Sequence, residues 1–173
     1  MSTDQIIAHL QRREAEVVER LLSDKGYACS SAIDMPADTI LAGLHQRAWR
    51  ILHLAGHGEH GHAQGKGKTV SGMVIGRDTF LTPGDVAQMR HVPELVFINC
   101  CHLGKTQSSD PRRASYNQLA ANLGVQFITM GVKAVVAAGW AVDDGAAELF
   151  ADTFYQRLLA GDAFGVAVRE ARA

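Results

Sequence analysis

Two residues whose types and placement could do chemistry together stand 44 positions apart in the chain, His57 and Cys101. His57 follows the apolar segment RILHLAG and is flanked by Gly56 and Gly58. Cys101 follows the apolar segment ELVFIN, with Gly104 close behind. A thiol is mostly protonated at neutral pH, and a neighbouring imidazole that accepts or balances its proton supplies the thiolate that attacks carbonyl carbon. If the two segments are neighbouring parallel strands, their exits share one edge of the sheet and bring the pair within reach. The N–H groups of Gly58 and Cys101 could then hold a developing oxyanion, a donor role worth about 3 to 4 kcal/mol of barrier. Residue types and spacing alone make this a candidate dyad and no more.

The elements that must position the pair are legible from hydrophobic period. Thr3 to about Ser23 carries Ile6, Ile7, Leu10, Val17, Val18, Leu21 and Leu22 at helical spacing, and Gly26 ends that helix. Tyr27 to Ile33 reads as a short strand. Asp38 reads as the N-cap of a second helix carrying Ile40, Leu41, Leu44 and Trp49. After RILHLAG, residues 59–70 (EHGHAQGKGKTV) are so rich in glycine and histidine that a mobile loop is expected. SGMVIG and TFL form a hairpin, Pro83 to Met89 a small helix, ELVFIN a second buried strand, and 104–115 a polar loop. A helix from Tyr116 to Met130, the strand KAVVAAGW, a helix from Asp143 to Ala160 and a last helix from Ala163 complete the chain. Strands alternating with helices predict one α/β domain over residues 1–173, with a mostly parallel sheet covered by helices on both faces.

Composition narrows the function. The 173 residues are 47% hydrophobic and 20% charged, which suits one buried core. Lys plus Arg number 17 against 18 Asp plus Glu, so no positive field exists to hold a phosphate backbone or an anionic membrane surface. Neither nucleic acid nor membrane is an expected partner. The charged N-terminus is unlike a signal peptide, and a cytoplasmic location is expected. Three cysteines, two of them adjacent, make no disulfide framework; Cys29 and Cys100 read as small core residues.

The histidines at 53, 57, 60 and 62 invite a metal reading with Cys100 or Cys101 as a further ligand. Paired-ligand spacings such as CxxC or HExxH are absent, so no metal is expected. His60 and His62 are expected to line the cleft or face solvent. AQGKGKTVSG lacks the spacing of a phosphate-binding loop, and no cofactor is implied.

The strings LHLAGHG (52–58), LVFINCCHLG (95–104), GVKAVVAAGWAVDD (131–144) and FYQRLLAGDAFGVAVREAR (154–172) resemble, in order and spacing, the bacterial CHAT domain family of caspase-like cysteine peptidases, over nearly the whole chain. The family's histidine lies in a motif like HxAxHG whose second histidine is the catalytic one, which assigns the role to His57 rather than His53. Its cysteine lies in a motif like LVxLSACxxG, which puts Asn99 at the serine, Cys100 at the alanine and Cys101 at the nucleophile. His102 and Leu103 depart from the commoner acidic residue and threonine. The resemblance implies a caspase-like three-layer sandwich that cleaves peptide bonds through a thioester acyl-enzyme, commonly joined to TPR or other regulatory modules. Such domains usually begin with a strand before the first helix, so the chain is expected to lack that strand and to be a fragment or a shortened variant.

In GWAVDD the acidic pair Asp143 and Asp144 resembles the arrangement in separase, where an acidic residue after a similar tryptophan motif receives an arginine. That implies a P1-binding role for Asp144 and a basic P1 residue; Asp143 serves equally well as the N-cap of the following helix. Asp110, Pro111, Arg112 and Arg113 form a dibasic stretch that could be cut in cis if it is a flexible loop. The alternative to a cysteine endopeptidase is a scaffold module that keeps the fold and uses its surface for assembly.

Overall fold

The computed structural model describes residues 3–65, 67–101, 112–138 and 144–173, with side chains at 12–65, 67–100, 119–138 and 145–173. The elements run α1 (Thr3–Asp24), α2 (Ala37–Gln46), β1 (Ile51–Ala63), β2 (Thr69–Gly76), β3 (Thr79–Leu81), α3 (Pro83–Val86), β4 (Leu95–Cys101), α4 (Arg112–Met130), β5 (Ala134–Ala138), α5 (Asp144–Leu159) and α6 (Phe164–Ala171). They form two compact units, one of residues 34–141 and one of residues 1–33 with 142–173.

The first unit is built on a five-stranded sheet in the order β3-β2-β1-β4-β5. β1, β4 and β5 are parallel, whereas β1, β2 and β3 are antiparallel neighbours. The sheet is therefore mixed, half parallel and half meander. The fold class is α/β, as the alternation of elements predicts. Successive residues of a strand point to opposite faces, and the even-numbered ones of β1 and β4 make the core: Leu52, Val96, Ile98 and Cys100 pack with Leu123 and Phe127 of α4, Leu44 of α2 and Val86 of α3. Three helices thus cover one face of the sheet. The odd-numbered residues His53, Ala55, His57, Phe97 and Asn99 belong to the other face.

The second unit packs α1 against α5 and α5 against α6. Val18 and Glu14 of α1 are buried, as are Ala151, Phe154 and Tyr155 of α5. The Phe154 ring meets Phe164 of α6 edge-on at 5.9 Å. Arg13 of α1 pairs with Glu148 of α5 at 2.9 Å.

Local chemistry explains the boundaries that sequence reading places well. Gly26, at φ +84°, ends α1: its N–H donates to the Ser23 carbonyl and the Tyr27 N–H to the Leu22 carbonyl, a Schellman closure that a side chain with a Cβ would strain. α3 opens with a reciprocal cap, Thr82 N–H donating to Asp85 Oδ2 at 2.8 Å and Asp85 N–H to Thr82 Oγ1 at 3.4 Å.

Four local expectations are corrected. Tyr27 to Ile33 forms no strand; residues 28–30 are exposed and no ladder recruits them. Cys29 lies in that segment and is exposed, its thiol near the carbonyls of Glu19 and Tyr27, rather than in a core. Asp38 is not the cap of α2: the cap position is Pro36, and Asp38 sits in the first turn with its carboxylate accepting from Thr39 N–H at 2.7 Å. The loop expected over residues 59–70 is a hairpin, because β1 runs on to Ala63 and β2 starts at Thr69. Its strands are held by the ladder Gly58↔Met73 to Ala63↔Thr69, and Gly61 N–H donates to Ser71 Oγ at 3.0 Å.

Candidate active site

The parallel ladder that carries the candidate pair begins at the opposite end of the sheet. There Glu94 N–H and Leu95 N–H both donate to the Arg50 carbonyl, and Ala134 N–H donates to the Glu94 carbonyl. The Glu94 carboxylate accepts from Arg50 Nε at 3.0 Å and from Lys133 Nζ at 3.4 Å. Its pKa lies below the usual carboxylate value, chiefly through the hydrogen bond from Arg50 and then that from Lys133. One carboxylate thus ties together the entry points of β1, β4 and β5. From Ile51↔Leu95 the two strands advance in step, six residues each, to His57↔Cys101. A slip of one residue would move every side chain of the strand to the other face, so the burial of Leu52, Val96, Ile98 and Cys100 on one face holds the register that places positions 57 and 101 on the same rung.

His57 does not sit at a strand exit, as the sequence suggested, but inside β1 at the last rung shared with β4. Cys101 is the final residue of β4. β1 continues beyond that rung as the hairpin strand, so the pair stands at the carboxyl end of a parallel strand, where open α/β sheets gather ligand chemistry. The pair is brought together as register partners. Cys100 points to the opposite side, into the α4 core at 5% exposure, which removes it as a rival nucleophile.

The flanking glycines have packing reasons. A Cβ on Gly58 would come within 2.8 Å of Leu119 Cδ2 and 3.6 Å of Cys100 Cβ, and one on Gly56 within 3.3 Å of Met73 Cγ. Both glycines therefore let the helix layer and the hairpin close down on β1. Gly58 remains adjacent to the candidate pair, in register with Met73 of β2.

The other histidines are engaged elsewhere. The His53 ring stacks on Phe97 with centroids 4.8 Å apart. His60 Nδ1 lies 3.1 Å from Ser71 Oγ, and His62 places Nδ1 at 2.6 Å from Glu59 Oε1 and Nε2 at 3.6 Å from Asp78 Oδ1. These contacts stitch the hairpin together. Among the described residues no group of three His, Cys, Asp or Glu side chains could hold a metal ion. No helix among them is long and apolar enough to cross a membrane.

Asp144 is the first residue of α5, in the helical unit, while His57 and Cys101 belong to the sheet unit. Asp143 lies outside the described residues, as do His102, Leu103, Gly104, Asp110 and Pro111. Arg112 and Arg113 are not in a loop: they open the first turn of α4. Sequence reading gave no separate weight to Asn99, the buried polar residue of β4 nearest the candidate pair. It is the single amide in the otherwise apolar run LVFINCC, buried two rungs before the candidate pair.

Comparison with curated proteins returned no match. Comparison with solved structures returned none either. A family model described as the CHAT domain matches residues 8–173, spanning both strands that carry the candidate pair and the helices of both units. With that match over almost the whole length, the chain belongs to the CHAT domain family and shares its caspase-like, peptidase-related fold.

Proposed function

We propose that the chain is a cysteine endopeptidase acting through His57 and Cys101. The observation that carries the reading is the register His57↔Cys101 on adjacent parallel strands, within a chain of a caspase-like family. In this reading the His57 imidazole takes the Cys101 thiol proton and the thiolate attacks the peptide carbonyl carbon. The N–H groups of Gly58 and Cys101 stabilise the tetrahedral oxyanion. The C–N bond then breaks, and the imidazolium returns its proton to the departing amine. Water, deprotonated by His57, attacks the resulting thioester, and the acid is released with the thiol restored. No cofactor enters the scheme.

Asp144 supplies the pocket for a basic P1 side chain, with Asp143 beside it in sequence. A buried carboxylate meets a guanidinium through two parallel hydrogen bonds, and a neutral P1 residue would leave it unpaired. The substrate is a protein or peptide, the setting is cytoplasmic, and TPR or similar modules are the regulatory partners. Self-cleavage near Arg112–Arg113 would require the first turn of α4 to unwind, because a protease binds its substrate extended.

A library of fluorogenic peptides varied at P1 tests the reading. Cleavage should follow Arg or Lys, and Asp144→Ala should lower kcat/KM for Arg substrates at least about thirtyfold, the loss expected when one partner of a buried charge pair is removed. Cleavage after Asp would refute the role of Asp144. Absence of any turnover that depends on Cys101 would favour the scaffold alternative.

A further inference from the structure

β1 and β2 fall out of step just beyond the candidate pair. Gly58 faces Met73 and Glu59 faces Gly72, but the next partners are His62 and Val70, so Ser71 stands opposite both His60 and Gly61. Gly61 adopts φ +68°, a conformation that favours glycine. Its N–H donates to Ser71 Oγ at 3.0 Å, and His60 Nδ1 lies 3.1 Å from the same oxygen. Bulges of this kind re-aim side chains and recur beside active sites.

The bulge changes which side chains share a face. In a regular strand residues 59 and 62 point to opposite sides. The extra residue turns His62 to the side of Glu59, where its Nδ1 lies 2.6 Å from Glu59 Oε1. Phe80 flanks the imidazole with ring centroids 5.0 Å apart, and Asp78 Oδ1 lies 3.6 Å from Nε2. Up to Glu59 the alternation is unbroken, so Glu59 shares its face with His57, two residues back. Same-face neighbours along a strand stand about 6.6 Å apart. The Glu59 side chain is still 43% exposed, and among the described residues its Oε2 has no donor. The bulge thus fixes a carboxylate through one oxygen and leaves the other to solvent, one step outward from the candidate base.

We infer that Glu59 is a specificity-determining residue that receives a lysine or arginine at P1′, the first residue of the departing product. The inference rests on the peptidase reading above. In that scheme His57 returns its proton to the amine nitrogen of P1′, so the P1′ residue leaves from beside the imidazole. Inward along β1 the next side chain of that face is Ala55, and outward it is Glu59. A P1′ side chain that extends away from the core therefore meets the carboxylate, across a distance that one extended lysine or arginine covers. The carboxylate is half-exposed, so its attraction for a cation is screened and changes rates by a factor of up to about five. The bulge and His62 hold it in place before the substrate arrives, which spares the cost of ordering it on binding.

The test uses the full chain and internally quenched peptides that carry the P1 residue preferred in the library above and lysine, serine or glutamate at P1′. The quantity read is the ratio of kcat/KM between peptides, which does not depend on the fraction of chain that is folded. Lysine should be preferred over serine about threefold, and serine over glutamate by a similar factor. Glu59→Gln should bring both ratios close to one, and Glu59→Lys should reverse their order. In the unsubstituted chain both ratios should shrink in about 1 M NaCl, where exposed charges are screened within a few ångströms; this decides the matter should neither variant fold. If no peptide is cleaved in a manner that needs Cys101, the peptidase reading fails and this inference with it. If Cys101-dependent cleavage shows no P1′ preference, or one that Glu59→Gln and salt leave unchanged, the role of Glu59 alone is overturned.

Discussion

Replacing Gly58 by alanine adds one methyl group to the side of β1 that faces α4, and the structure fixes what it meets. The new Cβ would lie 2.8 Å from Leu119 Cδ2. Carbon atoms in contact settle at about 3.5–4.0 Å, so the leucine must retreat by roughly 0.7–1.2 Å. Leu119 is 3% exposed and enclosed by the core, so its retreat displaces neighbours or lifts α4. Overpacking of this kind costs about 1–3 kcal/mol. Against it stands the gain from stiffening the unfolded chain, about 0.4–1 kcal/mol for Gly→Ala where φ is not positive, as holds at Gly58. The net expectation is a loss of about 0.5–2 kcal/mol. Urea unfolding followed by Trp49, which packs on the core of the sheet unit, measures it once Trp140 is replaced by phenylalanine. Leu119→Ala alone should cost about 2–5 kcal/mol. The double variant should be more stable than the sum of the two by about 1 kcal/mol, because each relieves the other. Additivity within about 0.5 kcal/mol, or a stabilising Gly58→Ala, would refute the account of why glycine occupies this position.

Three further outcomes follow from the packing and charge. Phe127→Ala, which empties a fully buried site where α4 meets the sheet, should cost about 3–5 kcal/mol in the same urea assay. Glu94 is held below its ordinary pKa by Arg50 and Lys133, so its contribution is present above the unfolded value of 4.5 and lost as pH falls through the folded value; Glu94→Gln should flatten the stability profile below about pH 4.5. Tyr155 has its pKa raised by burial and then by the negative charge of Glu14, so the folded chain resists losing that proton: stability should decline as pH rises above about 10, and Tyr155→Phe should remove the decline, read by circular dichroism.

What the sequence reveals and what it conceals divide along a physical line. Features set by neighbours in the chain are legible: the apolar run ending at Cys101, the Schellman glycine at 26, the cap at Thr82. Features set by distant pairing are not. The glycines and histidines of residues 59–63 have no strand propensity worth trusting, yet pairing with Thr69, Val70 and Gly72 across the hairpin holds them extended. Tyr27 to Ile33 has better propensity yet joins no ladder among the described residues, and Cys29 is exposed. The polar stretch ending at Ser115 gives little sign that α4 starts at Arg112. The candidate pair itself was readable as two residue types after two apolar strands. Their shared rung was not, because it depends on the register between two strands whose sequences lie 44 residues apart.

The central claim is that Cys101 is acylated with the help of His57. Mixing the chain with a peptide ester bearing arginine at P1, quenching in acid and sequencing the modified peptide by mass spectrometry tests it most directly. The account predicts an acyl group on Cys101 that is absent in His57→Ala and disappears with time in the unsubstituted chain as the thioester hydrolyses. An acyl group found on Cys29 instead, or on Cys101 to the same extent without His57, would contradict it.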